Sequence, residues 1–343
     1  MRYHIMESLD IRRNLATEEY LMNSFDSDEP LFLLYIQKPC VIIGRNQNSY
    51  EEIDLKYLRE KNVTLTRRTS GGGAVYDDLG NLSFSFVTSK NAMKFGEYES
   101  ITSPIITALR KMGATKAEVG GRNDMYIEGM KFSGNAMYTK KNRLYSHGTL
   151  MYDVDLSVLD KILTVSKEKI ESKATKSVKK SVTNLKPFLK EKYQFEKTAD
   201  FRDALICEVY QVNDLQEIED KRVDLTKKDE QNIEQIVQNR YANDDWVYGE
   251  TPRFSVKRRI RLPKVGIVDV RLSTLHGRIN EIRFYGDFFG QKDVSILEQQ
   301  LLGQKFIYEE IKNALNDMTV SDYIFHFNNE DLLALLFLSN KPK

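Results

Sequence analysis

RRTSGGGAVYDDLGNLSFSF, residues 67–86, joins two arginines and a serine to three consecutive glycines and then to an alternating pattern. Glycine alone lets a tight loop visit positive φ and lets a ligand approach the backbone closely. Arg67 and Arg68 add guanidinium forks suited to phosphate or carboxylate. After Asn81, the residues Leu82, Phe84 and Phe86 alternate with Ser83 and Ser85, as a half-buried strand does. Two readings stand side by side: a Gly-rich hairpin turn, or an anion-binding loop feeding a strand. Neither G-x-x-x-x-G-K-[ST] nor G-x-G-x-x-G is present.

The whole chain sets the limits. Its 343 residues allow one large or two ordinary domains. With 41% hydrophobic and 29% charged residues it has the composition of a soluble globular protein. A net charge of +1 provides no global basic field, which argues against nucleic acid as a partner. Cys40 and Cys207 are too few for a disulfide framework or a Cys-rich zinc site, and fit a reducing cytoplasm. The N-terminal MRYHIMESLDIRR lacks the apolar region of a signal peptide, and the run Leu332–Leu338 is too short to cross a bilayer. The expectation is a cytoplasmic protein that is not embedded in a membrane.

Outward from the glycine loop, residues 10–25 read as a helix with Ile11, Leu15, Met22 and Phe25 on one face and Glu18 and Glu19 elsewhere. Leu31–Tyr35 and Val41–Ile43 read as two buried strands of a hairpin, turned by Gln37-Lys38-Pro39 and followed by the polar loop 44–48. A helix is expected over 104–112, with Ser103 as N-cap, Pro104 in the first turn and Gly113 at the end. Residues 120–151 read as several antiparallel strands, with Asn123-Asp124 and Glu128-Gly129 as turn pairs. Within them Lys131 stands between Met130 and Phe132. It faces either solvent or a pocket, where an ammonium can neutralise phosphate charge. His147 is likewise either a buried, hydrogen-bonded side chain or one that faces a ligand. Eleven lysines lie between Lys161 and Lys197, a solvated face or a dock for an acidic protein. Helices are expected from about 200 and over 226–241. Residues 246–252 (WVYGETP) break the pattern and mark a domain boundary, giving a first domain over 1–245 and a second over 253–343. The second reads as small α+β, with strands over 254–262, 268–272 and 279–284 and helices near 293–302 and 308–317. GDFFG at 286–290 reads as packing or a domain contact.

A glycine loop with arginines, together with a lysine, an Asn-Asp pair and a histidine, suits activation of a carboxylate by ATP. There a carboxylate oxygen attacks the α-phosphate, and an ammonium and backbone N–H groups stabilise the charge at phosphorus. No Ser-His-Asp or Cys-His nucleophile is evident.

The chain resembles the lipoate–protein ligase A family, of the biotin/lipoyl protein ligase superfamily. The resemblance rests on NLATEEYL (14–21), VIIGRNQNSYEEID (41–54), RRTSGGGAVYDDLGN (67–81), GRNDM…GMKFSGNAMY (121–138), HGTLM (147–151) and SVTNL (181–185), all in order. WVYGETPRF and GDFFG are similar to that family's C-terminal accessory domain. The resemblance implies an α+β fold: a biotin/lipoyl-ligase-like catalytic domain, related to class II aminoacyl-tRNA synthetases, plus a small α+β accessory domain. It implies a two-step ligase using ATP, Mg2+ and (R)-lipoate. Lipoyl-AMP forms first. The lipoyl group then passes to a lysine on a lipoyl domain of a 2-oxoacid dehydrogenase E2 subunit or the glycine cleavage H protein. Carried over by position, Lys131 is the catalytic lysine, touching both lipoate carboxyl and α-phosphate. Arg68, Gly73, Ala74, Val75, Tyr76, Asn123 and Asp124 fall to ATP, with Asp124 the metal candidate. Arg67, Ser70, Gly72 and His147 fall to lipoate. The chain departs from the family at Asp77-Asp78, where His-Asp is usual, and at Lys179-Lys180-Ser181, where a guanidinium is missing. Related acyltransferases that work without ATP need a cysteine at the active site, and neither cysteine here is placed for it. The Gly-Arg-rich loop of biotin ligases is absent, and intact Arg68, Lys131 and Asp124 speak against a non-catalytic carrier-binding protein.

Overall fold

A computed structural model describes residues 1–25, 29–47, 53, 55–121, 123–159, 182–248, 256–275 and 277–337. The chain begins with β1 (Arg2–Met6), α1 (Ile11–Ser24), β2 (Leu31–Tyr35), β3 (Cys40–Ile43), α2 (Leu55–Glu60), β4 (Thr64–Arg67), β5 (Val75–Asp77) and β6 (Asn81–Ser89). It continues through α3 (Tyr98–Met112), β7 (Glu118–Gly120), β8 (Asp124–Ile127), β9 (Met130–Lys140), β10 (Arg143–Met151), α4 (Thr198–Tyr210), α5 (Lys227–Ile236) and α6 (Asp244–Tyr248). The C-terminal part holds β11 (Val256–Leu262), β12 (Gly266–Leu275), β13 (Arg278–Gly286), α7 (Val294–Leu301), α8 (Tyr308–Ala314) and α9 (Asn329–Phe337).

A seven-stranded sheet in the order β1-β2-β6-β10-β9-β8-β7 forms the body, antiparallel except where β1 runs parallel to β2. Helices cover both of its faces. Phe32, Leu34, Leu82, Phe84 and Phe86 pack with Ile105, Leu109, Phe201 and Leu205 of α3 and α4. Leu31, Leu33 and Tyr35 pack on the other side with Ile11, Leu15 and Met22 of α1 and Ile233 of α5. A strand buried on both faces loses its alternation, which is why LFLLY reads as one apolar run. β6 keeps its alternation for another reason. Ser83 and Ser85 are 2% and 0% exposed, so its polar face lies under α1 and not in solvent.

The hairpin expected from β2 and β3 does not form. β2 inserts between β1 and β6, while β3 sits in a second sheet, parallel to β4 and antiparallel to β5. Periodicity identifies a buried strand but not its neighbour, and each of these two has both edges taken by other strands. α3 also starts earlier than its proline indicates. Pro104 lies inside the helix and leaves the Ser100 carbonyl without an amide donor; the Ser103 hydroxyl supplies one at 3.1 Å. Ser103 is therefore a patch for the proline and not the N-cap. Gly113 ends the helix at φ +129° as expected. Asp124 opens β8 in place of turning, whereas Glu128 and Gly129 turn at φ +50° and +75°. α5 stops at Ile236 and a π-helical turn carries the chain to Tyr241.

Beyond α6 the three-stranded meander β11-β12-β13 packs against α7, α8 and α9 around Val268, Val270, Leu272, Leu297, Leu301 and Leu333. This is the α+β accessory domain expected at the C-terminus, and the apolar segment near 331–338 is its last helix. Residues 249–252 of the expected linker, Lys161–Lys180 of the lysine-rich run, and Ser181 lie outside the described residues. No helix among the described residues is long and apolar enough to cross a membrane.

Candidate active site

The glycine loop lies between β4 and β5 and roofs a cleft between the two sheets. The cleft is lined by Leu15 of α1, Tyr35, Ile42, Arg68, Gly72–Val75, Asp77, Ser83, Asn123, Lys131, Gly134–Ala136, His147–Thr149 and Phe289. Of the residues singled out by sequence, Arg68, Gly72, Gly73, Ala74, Val75, Asn123, Lys131 and His147 meet here. Arg67, Ser70, Tyr76 and Asp124 stand behind the lining.

Arg68 shapes the loop from beneath. Its guanidinium donates to Ile42 O at 3.1 Å, Gly71 O at 2.7 Å, Gly73 O at 2.8 Å and Ser70 Oγ at 3.1 Å. Across a trans peptide the next N–H points opposite to the carbonyl, so Gly72 and Ala74 turn theirs away from the arginine. Burial lowers the Arg68 pKa to about 10, which leaves it charged at neutral pH. Arg67 behaves differently. Its six hydrogen bonds all go to backbone carbonyls, five in number, those of Gly44, Arg45 and Gln47 on one side and Trp246 and Val247 on the other, at 2.7–3.2 Å. The expectation that Arg67 reaches toward the acyl ligand does not match this placement. The residue is 6% exposed, and its guanidinium lies outside the cleft lining and ties the loop after β3 to α6.

Lys131 projects from β9 beside a register shift between Met125 and Tyr126. Such a bulge re-aims a side chain. Its ammonium meets Asp124 Oδ1 at 2.8 Å, and a Cβ on Gly134 would come within 3.1 Å of it. The glycine makes room for the amine. The other Asp124 oxygen accepts from Tyr126 OH at 3.1 Å; burial and that carboxylate push the Tyr126 pKa to about 12. Asn123 and Asn135 clamp each other, side-chain amide to backbone carbonyl in both directions. Asn135 Oδ1 is left buried without a partner at the cleft wall.

His147 is both buried and cleft-facing, so the two sequence readings are not alternatives. Its Nδ1 meets Glu18 Oε2 at 3.0 Å, and its Nε2 meets Ser70 Oγ at 2.7 Å. Tyr35 OH donates to the other Glu18 oxygen at 2.9 Å. The network assigns the protons: Arg68 Nε–H to Ser70, Ser70 O–H to His147 Nε2, and His147 Nδ1–H to Glu18. The spacing is that of a Ser-His-acid triad, which the sequence does not reveal. Ser70, however, is 1% exposed, lies outside the lining, and already accepts from a guanidinium. It orients the imidazole and is no acyl nucleophile. Glu18 is the functional residue missed. Its signal is visible in α1, where Ile11, Leu15, Glu18 and Met22 follow one helical stripe, putting a carboxylate where an apolar residue belongs. Neither cysteine lines the cleft; Cys40 is fully buried in β3, and burial pushes its thiol pKa well up.

Asp77, the departure from the family pattern, lines the cleft floor. Burial raises its pKa to about 7, although Gln37 Nε2 donates to it at 2.6 Å and Ser83 Oγ at 3.4 Å. The native state therefore holds this proton between the ordinary carboxylate range and pH 7, where the unfolded chain has lost it. Stability from this group is full below pH 4 and declines as pH rises toward 7. Between pH 5.5 and 8 the loss is roughly 2 kcal/mol, most of it below pH 7. Asp77→Asn should flatten this part of the profile, measured as thermal midpoint at pH 5.5 and 8; equal slopes in both proteins would remove Asp77 as the cause.

The C-terminal domain covers the roof. Gly72 N–H donates to Phe288 O at 3.2 Å, and a Cβ on Gly71 would lie 2.2 Å from that same oxygen. Gly286 N–H reaches Asn46 O at 2.7 Å, Arg45 pairs with Asp293 at 2.8 Å, and Thr139 Oγ1 donates to Gln291 O at 2.8 Å. Trp246 lies between the guanidinium groups of Arg45 and Arg240, at 4.2 and 4.9 Å from its ring. GDFFG is thus a domain contact, with Phe289 itself in the lining.

The Lipoyl protein ligase A/B catalytic domain family matches residues 10–209, and the Bacterial lipoate protein ligase C-terminus family matches 251–336. Lipoate-protein ligase LplJ of Bacillus subtilis is 40% identical over 96% of this chain and 97% of its own. The chain belongs to the lipoate–protein ligase family. Among solved structures, P. falciparum LipL1, crystallised in complex with lipoate, superposes on this ligase with a TM-score of 0.74 at 23% identity. It covers 97% of this chain and 96% of its own, and shows the fold to be shared. A bipartite lipoate protein ligase from Thermoplasma acidophilum, studied with its E2 lipoyl domain, gives 0.61 at 29% identity over 74% of this ligase and 98% of its own chain. A lipoate-protein ligase A bound with ATP gives 0.55 at 25% identity over 72% and 98%.

Proposed function

We propose that this ligase works in two steps on ATP, lipoate and a protein lysine. The observation that carries the reading is Lys131, a cation on a bulged strand facing the same cleft as the glycine loop. In the first step a lipoate carboxylate oxygen bonds to the α-phosphorus, the bond to pyrophosphate breaks, and lipoyl-AMP and pyrophosphate result. Lys131 exchanges its contact with Asp124 for the anionic oxygens, and the Ala74 N–H and its neighbours in the loop supply neutral donors. In the second step a lysine amine of the acceptor attacks the acyl carbon, the bond to AMP breaks, and the amine releases a proton.

The residues present fit these ligands. The orphaned Asn135 Oδ1 offers an acceptor to a ligand donor, and at Gly73 the backbone is open on the side a Cβ would take. Among the described residues no three His, Cys, Asp or Glu side chains gather as a metal cage. Asp124 would instead meet Mg2+ on the nucleotide, since that ion takes one or two carboxylates plus phosphate oxygens and neutralises phosphate charge. His147, held by Glu18 and Ser70, lies where the acyl arm would run; Gly72, Arg68 and Tyr76 serve through the loop's shape. The acceptor class is the lipoyl domain, of an E2 subunit or of the glycine cleavage H protein, in the cytoplasm. The T. acidophilum ligase has an E2 lipoyl domain as its partner. The catalytic unit spans 1–245 and the accessory unit 253–343, joined through 246–252.

Lipoate-dependent exchange of pyrophosphate into ATP tests the reading. ATP-independent octanoyl transfer without any exchange would overturn it. The Phe288 carbonyl holds the Gly72 N–H that the nucleotide would take in the first step, so the accessory domain has to leave the roof as lipoyl-AMP forms. X-ray scattering profiles should change when lipoate and ATP are added together, and identical profiles would rule the movement out.

A further inference from the structure

The sheet of the C-terminal domain carries charge out of proportion to the chain. Between Val256 and Gly286 stand eight Lys or Arg and two Asp or Glu, a net +6 in a chain whose total is +1. Four of these cations, Lys257, Arg258, Arg259 and Arg261, fall within β11, and Lys264 sits in the turn that follows. The strand register sets Lys257 opposite Arg271 and Arg271 opposite Arg283, a row of three cations across three strands. Like charges in directly opposed positions destabilise a sheet. The inner strands compensate theirs. Asp269 accepts from Arg271 at 2.8 and 3.1 Å, Arg271 stacks on Tyr285 at 5.0 Å, and Glu298 pairs with Arg283 at 3.2 Å. Arg259 shares Asp269 at 3.4 Å. Lys257, Arg261 and Lys264 are exposed and form no ion pair among the described residues.

Among the described residues β11 is the outer strand of its sheet and pairs with β12 alone. One or two lysines are enough to blunt an edge strand against aggregation. Five cations over eight residues, on top of an opposed cationic row, go well beyond that need.

We propose that this basic sheet edge docks an acidic face of the protein that accepts the acyl group in the second step. The inference rests on the two-step reading above. A protein fits better than a nucleic acid: the strand offers no open aromatic ring for base stacking, since Tyr285 is covered by Arg271, and its one exposed apolar side chain is Ile260, at 36%. Exposed charge of one sign raises encounter rate and sets orientation without entering the chemistry. Its loss should therefore appear in the acceptor KM and not in adenylation.

The test compares the full-length wild-type ligase with a Lys257→Glu, Arg261→Glu, Lys264→Glu variant and a milder Lys257→Gln, Arg261→Gln variant. The acceptor is a purified apo lipoyl domain of an E2 subunit, at about 20 mM and about 300 mM salt, either side of the ionic strength where screening reaches contact range. Lipoate-dependent ATP–pyrophosphate exchange should stay within about twofold in all three proteins. The acceptor KM should rise about tenfold in the triple variant and less in the double, with kcat unchanged, and the differences should shrink at high salt. Unchanged acceptor KM with intact exchange would overturn the inference and leave the two-step reading standing. Absence of exchange in the wild type would overturn that reading and the inference with it. Tight single-stranded DNA binding, lost in the variants while acceptor KM holds, would reassign the edge to nucleic acid.

Discussion

Lys131→Ala should lose lipoate-dependent ATP–pyrophosphate exchange by roughly two to three orders of magnitude, the cost of removing one aligned donor from a developing oxyanion. The side chain is partly exposed, at 34%, and its ion pair with Asp124 is half open to water, so the fold should tolerate the change. The loss should therefore be kinetic, with the thermal midpoint unmoved within a few degrees. Wild-type exchange in Lys131→Ala would remove the lysine from the chemistry.

Arg67→Met should act on stability instead. The change keeps the volume but strips a donor from five carbonyls, those of Gly44, Arg45, Gln47, Trp246 and Val247, of which Gly44 O keeps the Gln47 N–H. Each unpaired buried acceptor costs on the order of 1 kcal/mol or more, and some will find water. A net loss of about 3–5 kcal/mol is expected, read as a fall of roughly 10 °C in thermal midpoint. At a temperature where the variant remains folded, KM for lipoate should stay within about twofold of the wild type. An unmoved midpoint with a strongly raised lipoate KM would put Arg67 back against the substrate.

These two side chains mark what can be read from the sequence. Lys131 stood out because a lone cation among apolar neighbours on a glycine-flanked strand has few explanations, and the cleft supplies one. Arg67 and Arg68 are adjacent and look alike in the sequence. Their opposite placements follow from strand geometry, which sends successive side chains to opposite sides, one under the glycine loop and the other toward α6. Glu18 was hidden by its own helix. The apolar stripe of α1 is strong enough to be recognised without it, and a carboxylate in the stripe reads as a gap until His147 is seen opposite. The serines of β6 were misread for a related reason: alternation reports that one face is polar, not whether that face meets solvent or a substrate cleft. Strand order was the least legible part. β2 and β3 lie four residues apart yet join different sheets, because β1, itself unremarkable in the sequence, takes the edge of β2.

The pairing of β1 has a kinetic side. Its Tyr3 carbonyl accepts from Val223 N–H at 2.8 Å, and His4 Nδ1 meets Val223 O at 2.7 Å. Farther along, the Thr66 hydroxyl donates to Tyr241 O at 3.0 Å. Part of the bonding of β1 thus waits for residues made more than two hundred positions later, and β4 waits nearly as long. Such contacts close large loops and belong to the slow end of folding. The α1 stripe, with one Glu18 oxygen unsatisfied until His147 of β10 arrives, is exposed meanwhile, which makes this region a stretch in need of chaperone cover.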